Sequence, residues 1–74
     1  MQFDGRTLRI VRRALNMSQA QFAARVNVST NFVSMVERGE RPMPARFRAA
    51  LPVTDDEIAE LVAAHERVVA RKGE

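Results

Sequence analysis

The chain has no cysteine, no tryptophan and no tyrosine, and only one histidine, His65. The absence of cysteine excludes disulfides and thiolate metal sites. With one histidine, a structural zinc site is not expected, and no cofactor is. No apolar run approaches the roughly 18 residues a membrane span requires. Met1-Gln2-Phe3-Asp4 lacks the charged and apolar regions of a secretory signal, so the expected location is the cytoplasm. No glycine-rich phosphate loop or nucleophile–base pair is present, so an enzyme and a small-molecule substrate are not expected. Asp55, Asp56, Glu57 and Glu60 read as a helix N-terminus and not as a metal cage.

What remains is apolar and basic. Apolar residues make up 46% of 74 residues, enough for one small core spanning residues 1–74. A chain this short is marginally stable alone, so it needs well-packed helices or a partner chain. The charge is uneven. Residues 1–51 hold nine arginines against three acids, net +6, while residues 52–74 carry net −3. A basic body with an acidic end points to a polyanionic partner for the first part only.

Helix signals recur along the chain, and no strand-like alternation interrupts them. Asp4 can cap a first helix whose face is Leu8, Val11 and Leu15, with Asn16 as a left-handed stop. Ser18-Gln-Ala-Gln21 reads as a capping box, and Phe22, Ala23 and Val26 follow as an apolar face. Ser29 caps a third helix over roughly residues 30–38 that turns Val33 and Val36 inward and ends at Gly39. Pro44 is expected at the first position of a short fourth helix that Pro52 ends. Thr54-Asp-Asp-Glu57 is a second capping box. It opens a fifth helix over about 54–71, with Arg71-Lys72 at the favourable end of its dipole. The expected class is all-α, with five helices, a short fourth and a long fifth.

Two short helices joined through Asn27-Val28-Ser29, with Ala23 small enough for a close crossing, suit a helix-turn-helix over 18–39. A plain helical bundle would share these spacings. The stretch Leu8 to Gly39 goes further. Leu8, Val11, Arg12, Met17-Ser18-Gln19, Phe22-Ala23, Val26, Val28-Ser29, Val33-Ser34 and Val36-Glu37-Arg38-Gly39 resemble the lambda-repressor/Cro-like (XRE) helix-turn-helix family.

The resemblance implies a recognition helix in the major groove of double-stranded DNA. It places Thr30, Asn31, Ser34 and Met35 at base edges, and Gln19 and Ser29 at phosphates. Val33 and Val36 facing the core turn most of these outward independently. Asn31 can pair with adenine through both amide groups, and no arginine stands at those base positions for bidentate guanine reading. Phe32, Arg38, Arg41 and Arg46 are further expected along the DNA backbone. Phe32 is the odd one: beside an inward Val33 it is expected only partly buried. The family also implies a largely buried ion pair between Arg12 and Glu37.

The resemblance weakens after Gly39, where the prolines shorten the fourth helix. The stripe Ile58, Leu61, Val62, His65, Val68 and Val69 is longer than one small body can cover. His65 is expected in the core or at an interface. Leu61, His65, Val68 and Val69 are the expected dimer contact. The expected function is a homodimeric repressor or autoregulator of phage, plasmid or restriction–modification type on an inverted-repeat operator. The alternative is an adaptor or antitoxin whose last helix binds another protein.

Overall fold

A computed structural model describes residues 2–72, with the side chains of 71 and 72 outside the described set. Five helices follow in order: α1 (Gly5–Ala14), α2 (Gln19–Val26), α3 (Thr30–Glu37), α4 (Ala45–Ala49) and α5 (Asp55–Lys72). The described residues are all-helical with no strand, as expected. The expected Arg71-Lys72 pair at the end of α5 has side chains outside the described set.

The first three helices start and stop by one local rule. Asp4 accepts from the Thr7 backbone N–H at 2.9 Å, and that hydrogen bond holds the Asp4 carboxyl below its ordinary range. Ser18 and Gln21 form the reciprocal box, at 3.0 and 2.8 Å. The Ser29 hydroxyl oxygen accepts from the Phe32 N–H at 3.0 Å. Each helix then ends on one left-handed residue: Asn16 and Asn27, both with φ 59°, and Gly39 with φ 79°. The same pair of backbone bonds closes each end. Asn16 and Met17 donate to Arg13 and Arg12, Asn27 and Val28 to Ala24 and Ala23, and Gly39 and Glu40 to Val36 and Met35. This satisfies carbonyls that a helix end otherwise leaves bare. The left-handed turn at Asn27 had no place among the sequence expectations.

α5 opens on the Thr54–Glu57 box, at 2.8 and 3.1 Å. Pro44 is the residue before α4 and not its first: its ψ of 138° is extended. Residues 42–44 lie outside any helix, in keeping with the bias of a residue preceding proline away from the helical region.

The core comes from every helix. Leu8, Val11, Phe22, Ala23, Val26, Val33, Val36, Phe47, Leu51 and Ile58 are buried together. Phe22 meets Phe47 edge to face, with centroids 5.4 Å apart. One contact is between backbones. A Cβ on Gly5 would fall on the Val36 carbonyl oxygen and 2.9 Å from Glu37 Cα. Only glycine lets the start of α1 approach the end of α3 so closely.

Candidate nucleic-acid interface

The turn between α2 and α3 sets the geometry of this surface. Asn27 reverses the chain, Val28 packs partly on the core, and Ser29 caps α3. Val33 and Val36 are then fully covered, which leaves Thr30 and Asn31 exposed on the opposite side of the first turn of α3. The free N–H groups of that turn and the exposed caps Ser18 and Ser29 suit phosphate oxygens. Ser29 Oγ is occupied as an acceptor, but its hydroxyl hydrogen stays available as a donor.

Farther along α3 the side chains are more committed. Ser34 is half-exposed, and its hydroxyl accepts from Arg38 Nη1 at 2.8 Å. Met35 is half-buried. Arg38 also pairs with Glu40, and that hydrogen bond holds the Glu40 carboxyl below its usual range. Arg41 is exposed and has no ion pair among the described residues.

Behind this surface lies a buried polar network. Arg12 Nε and Nη2 donate to the two Glu37 carboxylate oxygens at 2.6 and 3.0 Å, with both side chains almost fully covered. Arg12 Nη1 donates to the Met17 carbonyl at 2.8 Å. Gln19 Nε2 donates to Glu37 Oε1 at 3.0 Å. No buried side-chain polar atom among the described residues lacks a partner. The network ties α1, the start of α2 and the end of α3 to one carboxylate. A pair this complete fixes geometry more than it adds stability, because desolvation offsets much of the attraction.

A family model described as a helix-turn-helix domain matches residues 5–66. The chain belongs to the helix-turn-helix domain family. The match takes in four whole helices and most of α5, and it agrees with the XRE-like resemblance. No curated protein and no solved structure matches the chain. A helix-turn-helix is a DNA-binding module, and α3 occupies its second-helix position. No helix among the described residues is long and apolar enough to cross a membrane.

Within the helix-turn-helix, several residues carry structural work that the resemblance did not assign. Gln19 commits one amide hydrogen to Glu37, and its second amide hydrogen remains available as a donor. Phe32 is half-buried, with its ring edge-on to Phe47 at 6.1 Å. Its side chain has no donor, and its backbone N–H already serves Ser29, so packing is its place here. Arg46 lies over the Phe47 ring at 5.5 Å and reaches the Val26 carbonyl at 3.5 Å. Its guanidinium is therefore held at the turn end of α2.

His65 is exposed, so it is not a core residue. The α5 backbone turns it toward α1, where a cavity wall replaces the expected apolar packing. Leu61 is half-buried, while Val68 and Val69 are 49% and 52% exposed. The sequence reading overlooked Arg48, which donates to the Val53 carbonyl at 3.0 Å and to Asp55 at 2.8 Å. Those bonds fasten α4 to the start of α5. An arginine seven residues before an acidic helix start was the available signal.

Proposed function

We propose that the chain is a sequence-specific regulator of transcription that reads double-stranded DNA with α3. In this reading a homodimer places two copies of α3 in successive major grooves over an inverted-repeat operator. It acts as a cytoplasmic repressor or autoregulator. The observation that carries the proposal is the exposed start of α3: Thr30 and Asn31 face outward beside the capped turn while Val33 and Val36 hold the helix to the core. Asn31 reads an adenine. Thr30 and Ser34 add weaker polar contacts, and Met35 meets an apolar group such as a thymine methyl. Ser29, Gln19, Arg38, Arg41 and Arg46 line the path of the DNA backbone. Of these, Arg41 is the cation least engaged within the chain.

Selection of bound sequences from a random duplex pool, followed by a salt titration, tests the proposal. An inverted repeat is the expected product, and affinity should fall by orders of magnitude between low and physiological salt. Asn31→Ala should cost about 1–3 kcal/mol at one base pair per half-site and leave the others unchanged. Recovery of no enriched sequence, with a flat salt response, would reject the reading.

A further inference from the structure

α5 is a ridge with two unlike flanks. On the side toward α1 lies a cavity of about 460 Å³, walled by Arg6, Arg9, Arg13 and His65 over Ile10. Ile10, Arg13 and His65 also line the apolar groove that continues it, beside Ala14, Ala64 and Val68. The other flank of α5 is lined by Leu15 and Val53 with Glu57 and Glu60. Leu61 and Ala64 border both sides, so they form the crest.

Most charges on the two flanks lack an ion-pair partner, although one oxygen of Glu57 serves the cap of α5. Arg9, Arg13, Glu57 and Glu60 have no ion pair among the described residues. Each flank carries one charge of the minority sign. Glu66 meets Arg6 at 3.5 Å on the basic side, and Arg67 stands on the acidic side. Val68 and Val69 remain half in water at the far end of the ridge.

We infer that a second copy of the chain covers this ridge, with the arginine flank of each copy against the glutamate flank of the other. The inference rests on the dimeric reading above and names its contact surface. A two-fold contact must be self-complementary: whatever one copy offers at one place, the other offers at the symmetric place. A small, apolar crest between a basic and an acidic flank meets that demand when the two-fold axis runs obliquely across it. A uniformly acidic helix from another protein satisfies only the arginine flank and is repelled by Glu57 and Glu60. A small anion fills the basic cavity but leaves Val68 and Val69 in water. In this assembly Arg9 and Arg13 serve the dimer and not the DNA.

A charge exchange on the full chain tests this contact, with sedimentation equilibrium as the readout. Arg13→Glu and Glu60→Arg each place like charges together twice in their own homodimers. Each variant alone should dimerise about tenfold more weakly than the parent, or worse. An equimolar mixture of the two should associate as well as the parent, because every opposed pair is then of opposite sign. Both positions are exposed, and binding of a single half-site at high protein concentration verifies that each variant is folded. Variants that dimerise like the parent, or a mixture no better than either alone, overturn the contact and leave the dimeric reading standing. A parent that is monomeric both in solution and on its inverted repeat overturns the dimeric reading itself.

Discussion

The helices α1–α3 and the distal half of α5 are both regular helix, yet they are held in opposite ways. In α1–α3 every buried side-chain polar atom has a partner within the chain, each helix has a capped start, and each ends on a left-handed residue. Along α5 the packing fades: Ile58 is 1% exposed, Leu61 and Val62 are half-buried, and Val68 and Val69 are open. The first region is determined by contacts the chain makes with itself. The second is regular without being occupied. Its leftover apolar and charged groups are therefore where a neighbour has something to gain.

The contrast breaks most severely at Glu37. Glu37→Ala leaves Arg12 buried without its partner and should cost about 3–5 kcal/mol of folding stability, read from urea unfolding. An unfolding midpoint equal to the parent's would mean that the pair is not buried in solution. The next effect is at Gly5. In an open helix, Gly→Ala stabilises by up to about 1 kcal/mol. Here the added methyl meets the α3 backbone, so Gly5→Ala should destabilise by about 1–3 kcal/mol. The sign of that change decides whether the two backbones touch. At the other extreme, Val68→Ser with Val69→Ser should change the stability of the monomer by no more than about 0.5 kcal/mol. Thermal melts in dilute solution measure it. A larger loss would show that the distal helix packs on its own chain after all.

These differences track what a sequence can express. The caps at Asp4, Ser18, Ser29 and Thr54 were legible because a cap is a local event, decided within four residues. Val33 and Val36 were legible as inward residues because helical spacing alone sets their face, and Asn31 followed as outward. The close approach at Gly5 was not legible: its cause, the Val36 carbonyl, lies far along the chain. The bond from Gln19 to Glu37 was hidden for the same reason, although both residues stood out singly. The exposure of His65 was not legible, because its place in the apolar stripe fixes the side of α5 it occupies but not whether its own chain covers that side. Pro44 was displaced by one position, since an extended residue before a helix and its first residue look alike in sequence.

The carboxylate of Glu37 has a kinetic consequence as well. It accepts from Arg12 and Gln19, while the same Arg12 holds the carbonyl of Met17. The last turn of α3 cannot fray without releasing the first turn of α2. Backbone amides in those two turns should therefore exchange with deuterium through one shared opening event, although they belong to different helices. In the monomer the distal end of α5 lies outside that unit and should exchange first, by fraying.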